Sequence, residues 1–479
     1  NTVNLCPHNN GRVIPLLAII LVCLCLNSSA SLSEDWVGLH LGSLSPYQSK
    51  HWEGEDVCTT FGAVGVIRHG SRNPTARSFP SIKRFSELLV GNRSTGLNSN
   101  LIGSLTPRGL AEMRTIALSI RKYIGKSIKF DSFSLQNLEV LSTRKNRTYS
   151  SAVHFLHSFL GEDLQLTEKA ARMIRPNSED IHFQCPTYQS RSEDPTSPFM
   201  EQYNLYVKSR GEPLAEKITK RLANQTKGHH LTVEDVKVLW SVCAYGFALS
   251  SPDLIESCKI FTREEFLELE CLHDIDWHFK ERCFHGSNHV AAGERLLHFV
   301  VQRLRRMASG LSLPGAPELN VVFAFTHDNT LMRLFAVMGA FNHTERGGET
   351  LEGGGCNPRR ALRASRFAPF AANLVFLLAQ CPGTPHAQLR LIVNGRPTHP
   401  LLFHDTLETV SLQHLLDTAW AHLGIPGARA HCPVSPVSYA DPFLGLSLIS
   451  FAGTLFIGSL LVARSSWLPT RCQPRGRYR

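Results

Sequence analysis

Two short stretches of the chain carry residue types suited to phosphate chemistry. In Arg68-His69-Gly70-Ser71-Arg72-Asn73-Pro74-Thr75 an imidazole sits between two guanidiniums at a glycine-relaxed turn. Guanidinium forks match phosphate oxygens bidentately. Flanked by Arg68 and Arg72, His69 is expected to have a depressed pKa and to stay neutral, leaving one ring nitrogen free to attack phosphorus. The second stretch is His327-Asp328-Asn329. There a second imidazole, His327, can help hold phosphoryl oxygens, and the carboxylic acid of Asp328 can give a proton to a leaving alkoxide. Either stretch alone also fits a chance surface turn. Two of them, each placing a histidine just past a short buried strand, favour cleavage of a phosphate ester.

The elements that must position these residues are legible from hydrophobic patterning. Phe61–Ile67 and Val321–Thr326 are short, Val- and Phe-rich apolar runs of the kind that form fully buried strands. In open α/β sheets ligands bind beyond the carboxyl ends of the strands, where both motifs emerge. Helical patterns open at Thr106-Pro107 with Glu112 and continue through Ile124, and others cover Tyr149–Leu160, Ala291–Met307 and Leu331–Phe341. Apolar strands alternating with amphipathic helices predict an α/β sheet covered on both faces. The segment from about 165 to 290 lacks a clear strand and reads as a mainly helical insertion, and 347–360, with its GGGCNPRR, as a loop.

Composition places these elements in a secreted or membrane-tethered body. At 43% hydrophobic and 19% charged, the 479 residues are neither disordered nor collagen-like. The formal net charge of +10 invites a nucleic-acid reading, but Arg12 and the five arginines after residue 463 account for six of those charges. Residues 13–26 form an apolar run followed by Ser28-Ser29-Ala30, the layout of a signal peptide over 1–30, with a short membrane anchor as the alternative. Phe443–Ala463 has 21 uncharged residues, long enough to cross a hydrocarbon core of about 30 Å. With Arg464 and the basic tail 464–479 after it, a type I membrane protein is expected: a lumenal domain over 31–442, a transmembrane helix over 443–463 and a cytoplasmic tail. A lipid-anchor signal is the rival reading. Nine cysteines lie between the apolar runs with no CxxC pair, which argues for an oxidised secretory domain over a zinc site. Sequons at Asn92, Asn146, Asn224 and Asn342 fit glycosylation.

The heptad Arg68–Pro74 together with His327-Asp328 resembles the histidine acid phosphatases, the phytase and multiple inositol polyphosphate phosphatase branch of the histidine phosphatase superfamily. The resemblance covers most of residues 40–435. Leu105-Thr106-Pro107-Arg108-Gly109 is similar to that family's LTxxG helix start, and Leu141-Ser142-Thr143 with Arg147 and Ser150-Ser151-Ala152 to the segment that supplies a third phosphate-binding arginine. Phe367–Asn373 is similar to the strand after the HD motif. The resemblance implies a phosphoglycerate-mutase-like α/β sandwich with a mainly helical inserted subdomain. It implies that His69 is the nucleophile forming a phosphohistidine, that Arg68, Arg72, Arg147 and His327 clamp the phosphoryl group, and that Asp328 is the proton donor, with no metal or other cofactor. It also implies disulfides Cys58–Cys381, Cys185–Cys432 and Cys243–Cys258, and gives no guidance for Cys271, Cys283 and Cys356, of which 271 and 283 can pair.

Departures from the family pattern bear on substrate. His-Asp-Asn is similar to fungal phytases and acid phosphatases, whereas the animal inositol polyphosphate enzymes usually carry His-Ala-Glu, and Asn73 stands where Tyr is common. Arg77, Lys83 and Arg84 either meet extra phosphates of a polyanionic substrate or form a solvated helix face. The readings that follow are a phosphomonoesterase for inositol polyphosphates, a broad acid phosphatase, or an inactive phosphate-binding ectodomain. No nucleic-acid partner is expected, and the membrane partner is reached through the C-terminal helix. An acidic optimum is expected, because Asp328 must be protonated while His69 is not.

Overall fold

A computed structural model describes residues 33–48, 57–91, 93–125, 135–177, 180–182, 203–281, 288–309, 320–338, 340, 360, 363–398, 409–418 and 420. The signal region, Asn92, Asn342, Cys185, Cys283, Cys356, Cys432, the apolar run Phe443–Ala463 and the tail lie outside them. Among the described residues no helix is long and apolar enough to cross a membrane.

Strand β1, Thr59–Arg68, is buried over nearly its whole length, and such a run is stable only at the centre of a sheet. It pairs on one side with β4, Val321–Thr326, in parallel, and on the other with β5, Asn373–Gln380, antiparallel. Outward from β4 lie β2, Leu138–Ser142, and the two-residue β3, Arg175–Pro176, both parallel. Outward from β5 lies β6, Gln388–Val393, whose free edge is shared by β7, Arg396–Thr398, and β8, Thr409–Ser411. The result is one mixed sheet of eight strands. The expected strand at Phe367–Asn373 is corrected: residues 364–367 form a short helix, 368–372 a turn, and the strand starts only at Asn373.

Both faces of the sheet are covered. Along β1, Ala63 and Ile67 face one side and Val64 and Val66 the other, as period-two alternation requires. The first side is filled by helices α2, Pro107–Ile124, and α3, Asn146–Phe159; Phe155 and Phe159 stack on each other at 5.7 Å and meet Phe323 edge-on at 4.6 and 5.0 Å. The second side carries α7, Asn288–Ala308, and α8, Asp328–Val337. A separate apolar cluster unites α1, Phe79–Val90, with α4, Glu212–Arg221, α5, Val233–Leu249, and α6, Arg263–Glu281. A reciprocal capping box between Thr232 and Asp235 starts α5. Cys58–Cys381 ties the start of β1 to the end of β5, and Cys243–Cys258 lies in the helical part. Cys271 is also disulfide-bonded, to a partner outside the described residues.

Candidate active site

Register brings the two motifs together. Arg68 of β1 is aligned with Thr326 of β4, so the next residue on each parallel strand is a histidine. The rings of His69 and His327 are 5.6 Å apart, edge to face. Ser142 of β2 is aligned with Phe325, which places Thr143 and the start of α3 beside them.

The loop after β1 is fixed by the start of α2. Thr106 accepts from Gly109 N–H as the N-cap, and its own N–H and hydroxyl both donate to Ser71 O, at 2.9 and 3.1 Å. Glu112, one turn into the helix and 6% exposed, accepts from Ser71 N at 2.7 Å, from Ser71 Oγ at 2.8 Å and from Tyr47 N at 3.2 Å. Contact is so close that a Cβ at Gly109 would lie 2.1 Å from Ser71 O and one at Gly70 2.4 Å from Gly109 O. Both glycines are therefore required by space rather than by torsion angle.

His69 is 2% exposed, and its Nδ1 lies 2.9 Å from Gly70 O. A carbonyl only accepts, so Nδ1 carries the proton and Nε2 keeps its lone pair. Burial first, then Arg68 and Arg72, hold the imidazole well below its ordinary pKa, as the sequence predicted. Arg68 is fully buried: Nη1 donates to Ser43 O and to Ala368 O at 2.7 Å, and Nη2 lies 2.9 Å from Asp328 Oδ2. Its guanidinium lies 4.5 Å from the centre of the Phe370 ring, and desolvation, opposed by Asp328, brings its pKa down to about 10. Arg72 donates to Tyr245 Oη of α5 at 3.1 Å, and Arg147 Nη2 donates to His327 Nδ1 at 3.3 Å. The Nε of each of these three arginines is buried with no hydrogen-bond partner. An oxyanion with several acceptor oxygens meets that deficit.

His327 heads a directional chain. With Nδ1 accepting from Arg147, Nε2 donates to Thr143 Oγ1 at 3.1 Å; that hydroxyl donates to Thr148 Oγ1 at 2.7 Å, which donates to Lys145 O at 2.7 Å. Both ring nitrogens are thus engaged by protein atoms, so the expectation that His327 itself clamps the phosphoryl group is corrected: the ring aims Arg147. Burial, His182 and Arg147 lower His327 to about 2. His182, whose ring lies 4.6 Å from that of His327, is lowered to about 4 by burial and Arg333. Asp328 is the first residue of α8; Oδ1 accepts from Asn329 N at 3.0 Å, and 26% of the side chain is open. Burial raises its pKa, but Arg68 and Arg72 outweigh that and hold the carboxyl below its usual range. Among these cations Asp328 is held as a carboxylate, and the expectation of a standing proton there is corrected.

The structure brings His69, Arg68, Arg72, Arg147, His327 and Asp328 together, and the three cations after the motif form no hydrogen bond or ion pair with any of these six among the described residues. Arg77 is exposed, Lys83 lies 3.8 Å from Glu87 on the face of α1, and Arg84 pairs at 3.1 Å with Asp235. Asp235 is ten residues before Tyr245 on α5, about 15 Å along the axis. Tyr245, Glu112, Thr143 and His182 were not assigned roles from sequence. Glu112 carried a signal in its place in the first turns after Thr106-Pro107, and Thr143 in the Leu141-Ser142-Thr143 segment before Arg147. Of the sequons, Asn224 is exposed on the helical part; Asn146 is exposed immediately before Arg147, and its Thr148 is fully buried in the His327 chain. Among the described residues no group of three or more His, Cys, Asp or Glu is placed to hold a metal ion.

A buried neutral imidazole framed by three guanidiniums at the strand ends of a mixed α/β sheet defines a histidine-based phosphatase. The family model for the histidine phosphatase superfamily (branch 2) matches residues 62–394, and the chain belongs to that family. It is 26% identical over 394 residues to an acid phosphatase of Schizosaccharomyces pombe, covering 74% of this chain and 80% of that one. It is 25% identical over 382 residues to multiple inositol polyphosphate phosphatase 1 of Gallus gallus, again covering 74% and 80%. Its fold is similar to the phytase from D. castellii, with TM-score 0.63 at 17% identity over 83% of this chain and 88% of that one. It is also similar to the Bifidobacterium longum multiple inositol polyphosphate phosphatase in complex with inositol hexasulfate, with TM-score 0.60 at 12% identity over 82% and 99%.

Glu112→Ala strips Ser71 of both acceptors; it should cost about 1–3 kcal/mol in denaturant unfolding and lower kcat/KM with the displaced loop. His69, His182 and His327 take up protons near 6.5 when unfolded but resist them when folded. The unfolded state then binds more protons, so stability falls as pH drops through 6.5 toward the folded values. Asp328, depressed, adds to the same loss at lower pH. Tm measured from pH 7.5 to 4.5 should fall, and the fall should be shallower in His182→Gln.

Proposed function

We propose that this phosphatase hydrolyses inositol polyphosphates through a phosphohistidine. The observation that carries the mechanism is the Nδ1–H bond of His69 to Gly70 O, which leaves Nε2 as the nucleophile among cations. Arg68, Arg72 and Arg147 hold the phosphoryl oxygens, Arg147 aimed by His327. Nε2 attacks phosphorus as the ester P–O bond breaks, and the leaving alkoxide takes a proton from Asp328. Water then attacks phosphorus as the P–N bond breaks; the Asp328 carboxylate takes the proton of that water, Nε2 recovers its lone pair, and phosphate leaves.

Because Arg68 and Arg72 keep Asp328 ionised, the proton arrives with the ester monoanion, whose second pKa is about 6. The phosphoryl oxygens neutralise the arginines that had depressed Asp328, which lets it accept and pass on that proton. Activity then falls as pH rises above about 6, which keeps the acidic optimum but assigns its alkaline limb to the substrate.

The inositol polyphosphate reading is supported by the relative from Gallus gallus bearing that name, and by the three-arginine pocket. A broad acid phosphatase is the second reading, favoured by the His-Asp-Asn sequence and by the Schizosaccharomyces pombe relative. We place the domain in the lumen of the secretory pathway, as a type I protein held by 443–463; its disulfides accord with an oxidising compartment.

Measured on phytate and on p-nitrophenyl phosphate, kcat/KM should favour phytate; a large preference for the aryl ester rejects the inositol reading. In Asp328→Asn the loss should be far greater for phytate, whose alkoxide needs protonation, and equal losses would show that the donor is misassigned. Acid quench with 32P-labelled substrate should trap an acid-labile adduct in the parent protein and none in His69→Ala.

A further inference from the structure

A second cavity, of about 450 Å³, a volume suited to a small molecule, lies between residues 39–48, 363–369 and 393–398. Its polar lining includes Arg363, Arg366, Arg396, Asn394, Thr398 and Gln48, and no carboxylate lines it among the described residues. The three arginines differ. Arg363 is neutralised by Glu270, to which Nη2 donates at 2.9 and 3.1 Å. Arg366 and Arg396 are exposed and form no ion pair among the described residues. Two uncompensated guanidiniums at a concave site concentrate positive potential there.

The frame that presents them is fixed. Asn394 and Gly395 both have positive φ, 48° and 78°, the geometry of a tight Asn-Gly hairpin turn between β6 and β7. Arg396 is the first residue after that turn, paired with Val393. Asn394 Nδ2 donates at 2.8 Å to the carbonyl of Arg366, which belongs to the short helix α9, Ala364–Phe367. One side chain thus ties the turn carrying Arg396 to the helix carrying Arg366. The Phe367 ring and Pro369 add apolar lining.

We propose that this cavity is a second anion site, taking a small polyanion that bears phosphate or sulfate groups, separate from the pocket around His69. The segments 43–45 and 368–370 divide the two. Ser43 O and Ala368 O accept from Arg68 on the catalytic side, whereas Ser45 and Pro369 line the second cavity.

Calorimetric titration of the purified full chain with myo-inositol hexakissulfate tests the proposal. The parent protein should bind two equivalents and Arg366→Ala/Arg396→Ala one, with turnover of p-nitrophenyl phosphate within twofold of the parent. Arg366→Gln/Arg396→Gln, which keeps the aliphatic stems, should lose the same equivalent and serves where the alanine pair disturbs folding. One equivalent in the parent and none in the variants also supports the second site, and counts instead against the proposed inositol polyphosphate substrate. The same number of equivalents in parent and variants, or no binding by the parent, overturns the proposal.

Discussion

The site depends on a cation that water does not reach. Arg68 is entirely enclosed, yet it is met by one partly open carboxylate, two carbonyls and an aromatic face. A buried charge must be compensated nearby or it shifts its pKa. Burial brings Arg68 down to about 10 even with Asp328 opposing it, so these partners compensate the charge only in part. The same field keeps His69 unprotonated and Asp328 ionised. Burial together with the guanidiniums of Arg68 and Arg72 therefore sets the charge state of the candidate nucleophile, and the same two guanidiniums, against burial, that of the candidate donor.

Holding that cation in place takes parts from distant regions of the chain. Ser43 comes from the N-terminal segment, Ala368 and Phe370 from the turn before β5, and Asp328 from the first residue of α8. Phe370 also belongs to the apolar cluster of the helical part, and Tyr245 from that part reaches Arg72. The helical part is thus bonded into the phosphate pocket by a ring and a hydroxyl.

What could be read from the sequence followed hydrophobic pattern. β1, β4, α2, α3, α7 and α8 were legible because buried strands and one-sided helices leave strong periodicities, and His69, His327 and Asp328 could be placed at the ends of two of them. β6, β7 and β8 were not. β7 and β8 have three residues each and exist because β6 offers them an edge. The start of β5 was misplaced because Phe367–Ala372 is as apolar as a strand but is bent by a short helix and by Ala371 at φ 58°. Tyr245 and His182 gave no signal, since their roles arise only when helices meet strands across the fold. The charge state of Asp328 was misjudged for a related reason: sequence shows its neighbours along the chain, and the guanidinium that ionises it comes from β1.

The disulfide between the first and last central strands spans 323 positions. As the chain emerges from the ribosome, β1 appears early, with an apolar surface and two unpaired edges, and both its neighbours are made much later. Long-range pairing of this kind folds slowly and leaves hydrophobic intermediates open to aggregation. Biosynthesis must therefore carry β1 and its arginine-histidine turn without their two strand partners until β4 and then β5 have been made.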